Sequence, residues 1–211
     1  MANDNFPRGL VPLRLKPDGA HYYRVSSGAD TFLGEPVQLH TTGYVVGASI
    51  AGVAYYLGVA IGFAGPDKAS IANDDPFLDV SDLAPLASGL PTGDRFVLVA
   101  DDPDQEFYIQ EDTGGTALAL ADIGAAIDGL YRGSSGTARA GSADTGWASL
   151  ELDASAVVTT TAAVLQLLGL HETMNSDGTR NAVGDYAKWV VKILHHQKRG
   201  TAAQTAEGPI V

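Results

Sequence analysis

The chain has 211 residues, 13 Lys and Arg against 25 Asp and Glu, and a formal net charge of −12. That length is one domain or two small ones, and it buries enough surface to fold without a disulfide or metal staple. The absence of cysteine excludes a disulfide scaffold, a cysteine zinc site and a thiol nucleophile. A pI near 4.6 argues against sequence-independent binding to nucleic acid or anionic lipid. Charged residues make up 18% and glycines number 25, against about 25% and about 7% in ordinary soluble domains. Low charge with high glycine predicts β structure with many tight turns. The fold class read from these features is mainly β, an antiparallel barrel or sandwich body with an extended N-terminal arm and a C-terminal tail.

In chain order, residues 1–20 read as the arm. Pro7, Pro12 and Pro17 recur along it, each biasing its predecessor toward extended backbone. The same stretch lacks the continuous apolar run of a signal peptide. The body spans 21–197, with strand-like runs at His21–Val25, Pro36–His40, Tyr44–Ile50 and Val53–Phe63. Tyr44–Gly65 carries no charge over 22 residues, long enough to span a bilayer. Its six Gly and Ser residues and its missing Lys/Arg flanks favour a buried β-hairpin instead. Residues 66–93 hold four prolines and five aspartates and read as a long contact loop.

Arg95–Ala100 and Glu106–Gln110 predict a second hairpin around DDPDQ, where Asp and Pro supply the turn. Leu118–Tyr131 fits helix or strand. Residues 133–146 read as a flexible Gly/Ser loop. Trp147–Asp153 alternates, with Ala148, Leu150 and Leu152 on one face and Ser149, Glu151 and Asp153 on the other. Thr159–Leu168 is a further β-rich run, and His171–Gly184 a polar loop. Tyr186–His196 fits a strand better than a helix, because Trp-Val-Val-x-Ile is β-prone. Residues 198–211 read as a tail.

Charge is uneven along the chain. Residues 67–128 contain 14 acids and 2 bases, whereas the first 24 residues net +2 and residues 188–200 hold Lys188, Lys192, Lys198 and Arg199 without an acid. Basic ends flanking an acidic middle could dock on a neighbouring copy or another protein, or form a plain solvated surface. No catalytic constellation stands out. The five histidines show no H-E-x-x-H or H-x-H spacing and read as exposed or strand-end residues. DDPDQE at 101–106 and NSDGTRN at 175–181 lack a calcium-loop register and read as turns. G-x-S-x-G, P-loop and GxGxxG motifs are missing. The readings are therefore no catalytic residue, no metal and no cofactor, with no nucleic acid and no membrane among the partners.

The segments FPRGLVPLR, TTGYVVGASIAGVAYYLGVAIGFAG, VLVADDPDQEFYIQED, ADIG and GL…NSDGTRNAVGDYAKWVVKILHH together resemble the head decoration (cement) proteins of tailed bacteriophages. The similarity runs from about residue 6 to residue 197. The long loop GSSGTARAGSADTG and the tail after His196 depart from the family's pattern. The resemblance implies a virion protein, made in the host cytoplasm, that binds the outer capsid surface and stabilises the capsid by clamping neighbouring capsomers. Its implied partners are the major capsid protein and itself, as a homotrimer or homodimer. On this reading Phe6, Leu10 and Val11 anchor the arm in apolar grooves, and Arg8 and Arg14 pair with acids of the capsid or a sister subunit. Deleting residues 2–18 is then expected to leave the fold intact. An arm that is simply an unordered terminus is the plain alternative. A tail or baseplate protein, a carbohydrate-binding β-domain and an acid-pair hydrolase are the other readings open at this point.

Overall fold

The computed structural model describes residues 3–25, 30–41, 43–48, 55–64, 95–113, 116–132, 141–142, 145–158 and 163–199. The 66–93 loop, residues 133–140 and 143–144 of the Gly/Ser loop, and residues 200–211 lie outside them. The protein is mainly β, with two antiparallel sheets, one of them a curled half-barrel. The described strands are β1 (Val11–Pro12), β2 (Ala20–Arg24), β3 (Pro36–Leu39), β4 (Val45–Gly47), β5 (Gly58–Ala64) and β6 (Phe96–Ala100). They continue with β7 (Glu106–Gln110), β8 (Ala126–Tyr131), β9 (Leu150–Val158), β10 (Leu165–Leu170) and β11 (Lys188–Ile193). One sheet has the order β1-β7-β11-β10-β8-β9 and the other β2-β6-β5-β3-β4. Two isolated bridges mark the curvature. A bridge between Val25 and Val45 links the two edges of the five-stranded sheet, and one between Glu111 and Leu152 brings β9 against the end of β7.

Side-chain period explains the strands. In β11, Trp189, Val191 and Ile193 are buried and alternate with half-exposed Lys188, Val190 and Lys192, so the two-residue repeat of a strand wins over the helical one. β6 is buried at four of its five positions because apolar groups cover it on both sides. Its Val97 and Val99 join Val25, Val37, Val45, Leu57 and Ala60 in one cluster, while Ala100 joins the larger core of Leu10, Ile109, Leu150, Trp189 and their neighbours. The stretch that fitted helix or strand divides into a short 3-10 turn at Leu120–Asp122 followed by β8.

Three expectations about the body change. The Tyr44–Gly65 run is not a hairpin, because β4 and β5 pair with opposite sides of β3. Among the described residues no helix is long and apolar enough to cross a membrane. Arg95–Ala100 and Glu106–Gln110 do not pair with each other either, since β6 lies in one sheet and β7 in the other. The DDPDQ turn is the crossing between sheets. Asp101 continues along β2, donating its N–H to the Gly19 carbonyl (3.0 Å), before the chain leaves. Glu151, expected on the polar face of its strand, is buried, because the curl of the sheet covers that face too.

The N-terminal segment differs most. It follows an extended course, but it is laid on the chain's own body. β1 pairs with β7 through Val11–Tyr108 and Pro12–Phe107, and Leu10 is 0% exposed in the main core. Burying that side chain stabilises the fold by about 2 kcal/mol, so the body starts well before residue 21. Removing residues 2–18 would delete a core residue and an edge strand. At the other end, Gln197 exchanges hydrogen bonds with the Leu39 backbone (2.8 and 3.1 Å), so the anchored chain extends through Arg199.

The segment enters the core where two backbones cross. Leu10 N–H donates to the Gly34 carbonyl (2.9 Å). A Cβ on Gly9 would lie 2.3 Å from Gly34 O, and one on Gly34 would lie 2.0 Å from Arg8 O, with φ of +64° and +77° respectively. Gly9→Ala and Gly34→Ala should each lower the unfolding free energy by more than about 2 kcal/mol, since steric overlap adds to left-handed backbone strain. Gly43→Ala, at φ +81° with nothing within 4 Å, should show the backbone penalty alone, about 1 kcal/mol. Equal losses for all three in urea unfolding would show that the crossing is not set by contact.

Candidate functional site

A groove of about 550 Å³ opens along the N-terminal segment, lined by Asp4, Asn5, Phe6, Arg8, Tyr108, Thr173, Ser176 and Lys188. Residues 3–8 belong to no strand; side chains hold them in place instead. Asn3 donates through its amide to the carbonyls of Ala182 (2.8 Å) and Asp185 (3.0 Å) and accepts from Ala182 N–H (3.2 Å). Asp4 accepts from the backbone N–H and hydroxyl of Ser176. Phe6 N–H donates to Gln110 Oε1 (2.8 Å). Asn5 Oδ1 accepts from Arg132 (2.6 Å) and Gln110 (3.2 Å), and Gln110 also donates to buried Glu151 (2.7 Å).

The NSDGTRN turn is the receptor for this segment. It closes on itself through Asp177, which accepts from the Thr179 N–H (2.8 Å) and hydroxyl (2.6 Å). That closure leaves Asn175 and Ser176 to face Asn3 and Asp4. The remaining walls come from β7 and β11. Tyr108 stacks on His171 at 4.7 Å between ring centroids, and Lys188 opens β11. Burial, with the Lys188 charge nearby, holds His171 below its ordinary pKa.

The five residues singled out in the arm separate. Phe6 is 47% exposed, and Arg8 lies over its ring at 4.6 Å and over Trp147 at 5.7 Å. Arg14 is exposed and Val11 partly so. Leu10, by contrast, is enclosed in the chain's own core and has no surface to offer a partner. The structure brings Phe6 and Arg8 together with Tyr108, Thr173, Ser176 and Lys188; of these four the sequence had marked Lys188 as part of a basic end and Ser176 as part of a turn, and Tyr108 not at all. The pattern that places Tyr108 is its position between Phe107 and Ile109, both buried, which turns it outward on a strand.

Two other polar clusters are structural. Asp101, 1% exposed, receives hydrogen bonds from His21 Nδ1 (2.9 Å), Tyr23 and Lys198. Burial works against its charge, but these donors outweigh burial and hold its pKa below the ordinary value. Lys16 pairs with Asp102 (2.7 Å) and Arg199 with Asp104. The basic ends of the chain therefore dock on its own acidic turn. His196 is buried rather than exposed; its Nδ1 accepts from the Lys198 N–H (3.1 Å). Burial first, then Lys198 and Arg199, lowers its pKa to about 4.

Glu111 is 0% exposed and accepts from the Trp189 indole N–H, while its Oε1 meets no hydrogen-bond partner among the described residues. Burial pushes its carboxyl up to about 7, against the pull of that indole. Among the described residues no three His, Asp or Glu side chains gather closely enough to hold a metal ion. Compared with known proteins, the chain matches no family model, no curated protein and no solved structure.

Glu111 sets a pH signature. Its folded pKa lies above the unfolded value of 4.5, so the stability it contributes is complete below that value and is lost as pH rises through about 7. Glu111→Gln removes this loss. Relative to the wild type, the variant should gain on the order of 2–3 kcal/mol between pH 5 and pH 8, read as the change in the difference of urea unfolding free energies. A difference independent of pH would mean that Glu111 does not titrate in this range.

Proposed function

We propose that this chain is a structural protein of the outer surface of a tailed-phage head, with no catalytic role. It binds the major capsid protein as a homotrimer or homodimer and clamps neighbouring capsomers. The reading starts from the resemblance carried by FPRGLVPLR, VLVADDPDQEFYIQED and the closing NSDGTRNAVGDYAKWVVKILHH. The single observation that carries it further is the way FPRGLVPLR is held. Leu10 and β1 fix the segment to the sheet edge, and Phe6, Arg8 and Arg14 stand outward from it. A contact strip already fixed in position loses little conformational entropy on binding, and many copies on one shell add avidity. The burial of Glu111, Glu151 and Asp101 against donors of the same chain favours a binding role over acid-pair hydrolysis.

Co-sedimentation with undecorated, expanded heads tests this. The wild-type protein should saturate the heads at a stoichiometry that fits the shell's symmetry, with light scattering reporting a trimer or dimer. Phe6→Ala combined with Arg14→Gln should weaken head binding by about tenfold while moving the unfolding midpoint little, because both side chains are exposed. Wild-type protein that stays in the supernatant at every concentration would overturn the proposal.

A further inference from the structure

We propose that the groove beside the N-terminal segment binds an acidic peptide segment of a partner protein, its carboxylates taken by Arg8 and Lys188 and its backbone laid along Asp4–Arg8. The chemistry is read from the groove itself; that the partner is a capsid protein rests on the function proposed above.

The groove is rich in donors and poor in acceptors. The chain as a whole carries −12, yet the charges left unengaged here are positive. The one lining carboxylate, Asp4, is taken by Ser176. Arg8 and Lys188 pair with no carboxylate among the described residues. The hydroxyls of Tyr108 and Thr173, which also line the groove, donate to no acceptor among those residues. The Arg8 guanidinium carbon lies over the rings of Phe6 and Trp147, contacts that use none of its N–H groups, so these can make a two-point hydrogen bond to a carboxylate.

Form favours a peptide. The Asp4–Arg8 backbone pairs with no strand, while the adjoining β1 does. Phe6 N–H is taken by Gln110 and Pro7 has none, but the carbonyls of the segment accept no hydrogen bond among the described residues, so N–H groups of a partner chain can donate to them. Half-exposed Phe6 gives an apolar residue of that chain a surface. The volume, about 550 Å³, is in the range of sites that enclose a ligand of a few residues.

The test uses the full chain and a short fluorescent peptide of Glu and Asp with one Phe, followed by anisotropy at low salt and at about 0.3 M. Saturable binding that weakens with salt is expected. Arg8→Gln and Lys188→Gln should each weaken it about tenfold. Lys16→Gln, which removes a cation paired with Asp102 outside the groove, should leave it unchanged. No saturable binding would overturn the proposal, as would a Lys16→Gln loss equal to that of Arg8→Gln. Binding of a polyuronate oligosaccharide in place of the peptide would overturn the peptide assignment. The two proposals fail separately. Peptide binding by a protein that ignores heads removes only the capsid partner, and head binding untouched by Arg8→Gln and Lys188→Gln removes only the groove.

Discussion

The crossing of Gly9 over Gly34 is the contact on which the two-sheet arrangement depends. Gly34 sits at a junction of backbone hydrogen bonds. It accepts from Leu10 and donates to Ala60 of β5, while its neighbour Leu33 donates to Gly146 and accepts from Ala148 (2.9 and 2.8 Å). Three pieces of chain meet there: the N-terminal segment, the five-stranded sheet, and the approach to β9. Only backbones without Cβ atoms come so close, and the closeness puts Leu10 into the core shared by both sheets. The strip that continues from it, with Phe6 and Arg8 outside, is therefore as fixed as the core is.

Polar burial does the rest of the ordering. Gln110 spans from Phe6 and Asn5 to Glu151, so a buried carboxylate and a surface segment share one amide. Trp189, the largest fully buried side chain, satisfies its indole on Glu111. These arrangements commit the interior to particular partners, because a buried group left unpaired would cost its full desolvation. Glu111 shows the tension directly: Oε2 takes the Trp189 indole, and Oε1 meets no partner among the described residues.

The uneven charge of the sequence is partly neutralised within the fold. Lys16, Lys198 and Arg199 meet Asp102, Asp101 and Asp104 at the turn that crosses between sheets. The pairs on Asp102 and Asp104 are exposed on one or both sides and weak by themselves, but Asp101 is buried and collects three donors. In the groove, the charges without a carboxylate partner among the described residues are the cations Arg8 and Lys188, on a chain whose total is strongly negative. That contrast, more than any motif, gives the groove a direction of recognition.

The sequence by itself determined the class and most of the strands. Alternation placed Leu150, Leu152, Trp189, Val191 and Ile193 in the core, because a two-residue period needs only local geometry. It also excluded thiol chemistry, since a chain without cysteine has neither a thiol nucleophile nor a thiolate ligand. Pairing was different. β4 and β5 look like a hairpin because they are neighbours in sequence, and so do β6 and β7, yet strand order is set by which apolar faces close on one another over long separations. The arm illustrates the same limit. Its prolines read as extended, and they are, but proline spacing carries no information about whether Leu10 meets a partner or its own core. Gly9 and Gly34, Asn3 and Asn175, Arg8 and Lys188 became neighbours only in the tertiary structure, because none of these contacts is encoded within the reach of a local pattern.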